Sequence, residues 1–243
     1  MRMLVTRPDP DASDTAARLG ALGIAGVTCP LLVHETLGGS IPDPEGFAAI
    51  ALTSANALRA LAERGQLARY CGLPVFTVGD RTAEAARRHG FARVESAHGG
   101  FADLVDKLAH TTVGGPILYF AASEPAGDLA KSLAPHGRMV ITAQIYAMNP
   151  LAAMPDGILA DLGSGEIGAV LFYSRRTAAT FVRLTQGQLG KQARVRLGML
   201  CLSETVAEPL IDAHFVRVGL ADHPSEEAMM SLALSFCRDQ NAS

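Results

Sequence analysis

The sequence predicts an α/β protein made of two similar, doubly wound, parallel-sheet domains joined by a two-stranded β linker. Three observations predict it. Short apolar runs alternate along the chain with Ala- and Leu-rich stretches of helical period. The runs are apolar throughout rather than every second residue, as strands buried on both faces are. One block of strand, turn and helix signals then occurs twice in the same order.

Taken in order, the strand candidates are Met3–Thr6, Ala49–Thr53, Pro74–Val78, Arg93–Ser96, Pro116–Phe120, Ala169–Tyr173, Val195–Cys201 and Phe215–Val218. Nearly all lead into a turn and a helical pattern, the signature of parallel sheets with helical crossovers. Helix punctuation agrees. Asp11 or Ser13 can cap a helix ending before Gly23, Ser54 one ending at Gly65, and Asp80 one ending before Gly90. Ser225, with Glu226 and Glu227 behind it, opens the last helix with favourable charge in its first turn.

The repeat aligns Ala49–Leu58 with Ala169–Ala178, Val78–Glu84 with Cys201–Ala207, and Phe101–Val105 with Glu226–Met230. Ser54 and Ser174 stand 120 positions apart, Thr82 and Thr205 123 apart. Ordered matches at nearly constant offset indicate duplicated units. Two extended stretches, 28–36 and 142–149, each connect a strand–helix unit to the next block. One crossing out and one crossing back would return the first strand and helix to the C-terminal half. Residues 1–33 plus 150–243 would then form one domain and 37–143 the other. A plain boundary near Val113-Gly114-Gly115 is the alternative.

Bulk chemistry excludes several classes. Hydrophobic residues make up 49 % of the 243 and charged residues 19 %, so the chain is not disordered. A net charge of −3 without a basic stripe argues against nucleic acid. Cys29, Cys71, Cys201 and Cys237 lie far apart with no CxxC, and His98, His136 and His214 pair with nothing at metal spacing. His34 reads likewise as a surface or loop residue. The N-terminus meets Pro8 too soon for a signal peptide, and no apolar run approaches ~20 residues, so a cytoplasmic location is expected. GxGxxG, GxxxxGK[ST] and GxSxG are all missing.

In an open parallel sheet, ligands bind beyond the carboxyl ends of the strands, where helix N-termini point N–H groups outward. The turns at Thr6-Arg7-Pro8, Thr53–Asn56, Gly79–Thr82, Ala121–Ser123, Ser174–Arg176 and Ser203–Thr205 all fall there. Small hydroxyl residues suit close approach to a ligand's carboxylates; they also cap ordinary helices for stability alone. Arg7 can hold a carboxylate or stand as a solvated charge. Tyr146, on the second extended stretch, is a phenol that can donate a proton or pack as an amphipathic linker residue.

These turns, in this order, resemble the uroporphyrinogen-III synthases. The residues are Leu4–Pro8, Leu52–Ala57, Val78–Ala83, Ile117–Phe120, Ile145-Tyr146, Leu171–Ser174 and Pro224–Ala228, spread over essentially the whole chain. The resemblance implies two α/β domains joined by a two-strand ladder, a monomer, and no metal or organic cofactor. It implies that hydroxymethylbilane, a linear tetrapyrrole with eight carboxylates, loses water and closes with its last ring inverted through a spiro intermediate. A transient contact with the preceding deaminase is expected. Tyr146 matches the family's tyrosine, proposed as the acid for hydroxide departure. Arg7, Ser54, Asn56, Thr82, Ala122, Ser174 and Thr205 match substrate-facing positions. Ala121-Ala122 and Leu202-Ser203-Glu204 depart from the family pattern, and Asn56 stands where a basic residue can occur. Those departures motivate the runner-up reading, a non-catalytic module closing on an anionic ligand. A nucleotide- or sugar-phosphate-using transferase lacks its phosphate loop.

Overall fold

A computed structural model describes residues 1–241. The chain separates into two compact units, Met1–Val33 together with the chain from Asn149 onward, and His34–Met148.

The first unit carries a sheet of β2 (Ala25–Thr28), β1 (Arg2–Val5), β9 (Ile167–Phe172), β10 (Gly198–Cys201) and β11 (Arg217–Leu220), in that spatial order. Every neighbouring pair is parallel, Leu4 lying beside Val27 and Val170. Side chains alternate between two apolar layers. Leu4, Val170, Phe172 and Met199 pack on one face, Met3, Val5, Leu171 and Leu200 on the other. Burial on both faces is why these strands read as unbroken apolar runs. Chain order reverses between β1 and β9, which makes their carboxyl ends the switch point of the sheet.

In the second unit, β7 (Ile117–Ala122), β4 (Ala49–Leu52), β5 (Val75–Thr77) and β6 (Val94–Ser96) form a parallel run. β8 (Val140–Pro150) extends it beside β7, and β3 (Leu32–Thr36) lies outermost. Its switch point falls between β4 and β7. Ile50, Leu52, Leu118 and Phe120 fill one layer, and Ala49, Ala51, Phe76 and Tyr119 the other.

The duplicated serines behave alike. Ser54 caps α2 (Ala55–Glu63) at φ −157°, ψ 148°, and Ser174 caps the helix Arg175–Thr185 at φ −148°, ψ 147°. Each hydroxyl accepts from a backbone N–H of the first turn, Asn56 and Thr177 respectively. Ser225 does the same for the last helix, accepting from the Ala228 N–H.

Some elements differ from the sequence expectation. Asp80 is the first residue of α3 (Asp80–Arg88) rather than its cap, which is Gly79. Ser13 lies inside α1 (Asp11–Ala21), with Pro10 at the cap. Lys191–Arg196 is helical and the strand starts only at Gly198, because Lys, Gln, Ala and Arg are good helix formers. Phe215 belongs to the core and β11 begins two residues later. The stretch 28–36 is two elements, broken at Cys29-Pro30-Leu31. Pro30 has no N–H to give a ladder. Among the described residues no helix is long and apolar enough to cross a membrane.

Candidate active site

The second unit gathers hydroxyl groups at the carboxyl end of its sheet. β4 ends at Leu52, so Thr53 and Ser54 form the turn into α2. β7 runs beside β4, with Tyr119 opposite Ala51. β8 follows, and a register shift at Ala121/Ala122 sets Tyr146 opposite Ala122. The Ser54 and Thr53 hydroxyls, at the end of β4, favour the charged form of the Tyr146 phenol. The Thr53 hydroxyl lies 3.1 Å from the Tyr119 phenol oxygen. Tyr119 is wholly buried and Tyr146 only 3 % exposed. Backbone bonds hold the strand end, since the Ser123 N–H donates to the Tyr146 carbonyl at 2.8 Å.

Burial disfavours the phenolate and pushes the Tyr146 pKa up to about 12, against the opposing pull of the Ser54 and Thr53 hydroxyls. Tyr146 is therefore protonated throughout the neutral range. Its ring stacks on His34, with centroids 5.7 Å apart and planes 21° from parallel. The His34 side chain is 4 % exposed, so the surface reading of this histidine is corrected. It lies on β3 next to Thr36, and its Nε2 is 3.0 Å from the Thr36 hydroxyl, which donates to Glu63. Its Nδ1 is buried with no partner. Burial first, then the nearby Arg59 charge, holds the imidazole below its ordinary pKa, while Glu63 pulls the other way. The amide of Asn56 reaches the Met148 sulfur at 3.4 Å. Thr82, in the first turn of α3, is 8 % exposed, and Ala122 is half-buried at the end of β7.

In the first unit the turns after β9 and β10 carry Ser174 and Thr205. Ser174 shares its hydroxyl with Thr177 at 2.7 Å, and Thr205 pairs with Ser203 at 3.0 Å. A cavity of about 410 Å³ opens where β10 and β11 end, lined by Ser203, Glu204, Thr205, Asp222 and His223 among others. Arg7 is engaged within its own unit. Its guanidinium donates to Glu226 at 2.7 Å and to Asp11 at 2.8 Å, and covers the Tyr173 ring at 4.0 Å. Glu226 also accepts from the Thr15 and Tyr173 hydroxyls, at 2.9 and 3.1 Å. Burial and this carboxylate push the Tyr173 phenol well above its usual range. Arg175, next to Ser174, is paired with Glu208 at 3.1 Å.

Ser54, Thr53, Tyr119 and Tyr146 thus meet in one cluster of the second unit, while Ser174, Thr205 and Arg7 lie in the first. Tyr119 and His34 escaped the sequence reading as site residues, whereas Thr53 was read as part of a ligand-facing turn. The alternation His34-Glu35-Thr36, which puts His34 and Thr36 on one face of a strand, was the available signal.

Residues 13–231 match the family model described as uroporphyrinogen-III synthase HemD. The chain belongs to the uroporphyrinogen-III synthase family. Its activity is the family's: it is a lyase that closes hydroxymethylbilane, with loss of water and inversion of ring D, to uroporphyrinogen III in tetrapyrrole biosynthesis. The fold is similar to solved structures of this family. One is a uroporphyrinogen-III synthetase from Helicobacter pylori, at 21 % identity and a TM-score of 0.68, over 97 % of this chain and all of that one. Another is a mutant uroporphyrinogen III synthase from the extremely thermophilic bacterium Thermus thermophilus, at 17 % identity and a TM-score of 0.57, over the full length of both. No curated protein matches the sequence significantly.

Proposed function

We propose that Tyr146 is the acid of the uroporphyrinogen-III synthase reaction in this chain, donating its phenol proton to the departing hydroxide. The observation that carries this is the burial of Tyr146 among the Ser54 and Thr53 hydroxyls at the carboxyl end of its sheet. As the bond from the hydroxymethyl carbon to oxygen breaks, its electron pair leaves with the oxygen. That oxygen takes the phenol proton and departs as water. The phenolate remains, to be reprotonated when the closing pyrrole carbon loses its hydrogen. A phenol near 12 is a stronger acid than the water formed, whose pKa is about 15.7, so the transfer runs downhill.

Turns at strand ends are proposed to bind carboxylates within each unit: Ser54, Asn56, Thr82 and Ala122 in His34–Met148, and Ser174 and Thr205 in the unit that holds β9 and β10. The capped helices behind Ser54 and Ser174 support this, because unclaimed N–H groups of a first turn favour anions. Arg7 enters by ordering the turn after β1, since Asp11 and Glu226 already neutralise its charge. We propose further that the two compact units are two domains, 1–33 plus 150–243 and 37–143, and that β3 and β8 are the linker strands. The fall of both unit boundaries within those strands supports it. A cytoplasmic monomer, handed its substrate by the preceding deaminase, completes the proposal.

The test is an isomer assay with enzymatically made hydroxymethylbilane. The type III ring is expected at a rate above spontaneous closure. Tyr146→Phe is expected to lower turnover by roughly 10²-fold, the lower end of general acid catalysis. Unchanged turnover in a folded variant removes Tyr146 from the role.

A further inference from the structure

We propose that the first unit carries a second ligand site, separate from the substrate turns: a cavity beside Arg194 and Phe215 that takes a small monocarboxylate with a flat apolar body.

The cavity, of about 320 Å³, lies wholly within this unit. That is the small end of the range for ligand cavities, about 300–1,000 Å³. Its place in the fold sets it apart from the turns that carry Ser174 and Thr205. Those turns open helices at the carboxyl ends of strands. The cavity lies where the same helices finish. Val182 and Gln186 line it from the end of Arg175–Thr185, and Pro209 and Asp212 from the end of Glu204–Asp212. Phe215 follows, two residues ahead of β11. In a parallel sheet this is the amino-terminal edge. The helix Arg175–Thr185, 11 residues long, sets about 16 Å between the Ser174 turn and this edge.

Arg194 supplies the charge. It belongs to the helix Lys191–Arg196 and is half-buried. Its Nη1 donates to the Ala213 carbonyl at 3.2 Å, and its Cζ stands 5.6 Å from the centre of the Phe215 ring. Its Nε is buried without a partner. Among the described residues Arg194 has no carboxylate partner, whereas Arg7 has two. The carbonyl bond has a structural purpose, since it satisfies the chain end of the Glu204–Asp212 helix. It engages one of five N–H groups and leaves the charge uncompensated. A half-buried cation without a counterion is a poor arrangement for stability alone. An anion in the cavity completes it, and a carboxylate matches the guanidinium fork.

The rest of the lining sets the ligand class. Val182, Pro209 and Phe215 offer apolar wall, and Phe215 is only 4 % exposed. They favour a carboxylate on a flat apolar body over a bare inorganic anion. Asp212 lines the same cavity from an exposed position. Its charge works against a second negative charge on the ligand, so a monoanion is selected.

The experiment uses benzoate, a carboxylate on one ring, and the full chain. Because the sequence has no Trp, Gln186→Trp at the exposed rim gives a single fluorescent reporter of this cavity. Benzoate is expected to change its emission saturably with a Kd on the order of 1 mM, an ordinary efficiency for so small a ligand. Isothermal titration of the parent chain is expected to give the same Kd. Arg194→Met is expected to weaken binding roughly tenfold, the effect of one charged hydrogen bond, and Arg194→Lys to weaken it less. Asp212→Asn is expected to tighten it roughly two- to threefold. Neutral benzamide and inorganic phosphate are each expected to bind at least roughly tenfold more weakly than benzoate. Absence of saturable benzoate binding overturns the inference, as does equal affinity in Arg194→Met. Phosphate binding as tightly as benzoate would mean charge attraction only, and benzamide binding as tightly would mean an apolar surface only; either overturns it. Turnover of hydroxymethylbilane by Arg194→Met is expected to match the parent's, and a raised KM would assign the cavity to the substrate and overturn a separate site. Far-UV circular dichroism establishes that each variant is folded. If Arg194→Met does not fold, Asp212→Asn decides, and unchanged or weaker affinity there overturns the inference. None of these outcomes bears on Tyr146, which the isomer assay tests alone.

Discussion

Replacing Glu226 by Gln tests how the last helix is fastened to the first strand and helix of the chain. Glu226 accepts from Arg7 at 2.7 Å, Thr15 at 2.9 Å and Tyr173 at 3.1 Å. Glutamine has nearly the same shape but one acceptor oxygen, and it places an NH₂ group against donors. If its oxygen faces Arg7, that bond loses its charge, about 1–1.5 kcal/mol for a partly buried pair. Thr15 and Tyr173 then face the NH₂ group; one can turn and accept, and the other forfeits about 1 kcal/mol. Asp11 still holds the second arm of Arg7, so the guanidinium is not stranded. The sum is a loss of about 2–2.5 kcal/mol, or roughly 4–10 °C in Tm for a chain of this length. Urea unfolding followed by far-UV circular dichroism measures it, the sequence having no Trp to serve as a fluorescent probe. An unchanged slope with a lower midpoint is the expected result. A loss under about 0.5 kcal/mol would show that the cluster is a solvated surface contact, and that reasoning from its geometry is wrong.

The other expectations are shorter. Arg7→Met is expected to lower stability by about 1–3 kcal/mol while changing KM less than about twofold, because two carboxylates already occupy the guanidinium; a tenfold rise in KM would assign Arg7 to the substrate directly. Turnover should show no alkaline loss attributable to Tyr146 up to about pH 10, since its pKa is held near 12 and the acid form persists; a decline centred near pH 8 that Tyr146→Phe abolishes would contradict this. His34 is held below its ordinary pKa of 6.5, so the unfolded chain binds its proton first. Its contribution to stability is complete above pH 6.5 and is lost as pH falls from there toward the lower folded pKa. His34→Phe should flatten that acid slope in urea titrations, and an unaltered slope would refute the assignment. Gly26→Ala sets a Cβ 2.8 Å from the Ala16 backbone, where β2 meets α1, and is expected to cost about 1–3 kcal/mol in thermal unfolding. A neutral result would mean that the helix can slide.

The alternation of apolar runs and capped helical stretches was enough to read parallel sheets covered on both faces, because burial on both faces leaves a mark on every strand residue. The duplicated Ser54 and Ser174 were legible as caps for a similar reason, since a cap acts within four residues of itself. Strand limits were less legible. Val195 and Phe215 have strand-like side chains, yet one sits in a helix of good helix formers and the other fills the core. His34 read as a surface residue because one histidine between Val33 and Glu35 says nothing about which face of its strand is covered. Only tertiary structure decided that Thr53 meets the Tyr119 phenol and that the Ser54 and Thr53 hydroxyls act on Tyr146. Both depend on which strands are neighbours and on a register shift at Ala121/Ala122, and neither quantity is local. It likewise decided that Arg7 spends its charge on Asp11 and Glu226, the second of these 219 positions away along the chain. The sequence by itself determined the element types and the family, because propensity, capping and burial pattern are written residue by residue. The partner of each polar group was left to the fold, because a hydrogen bond is settled by distances of a few tenths of an ångström between segments that the chain order does not bring together.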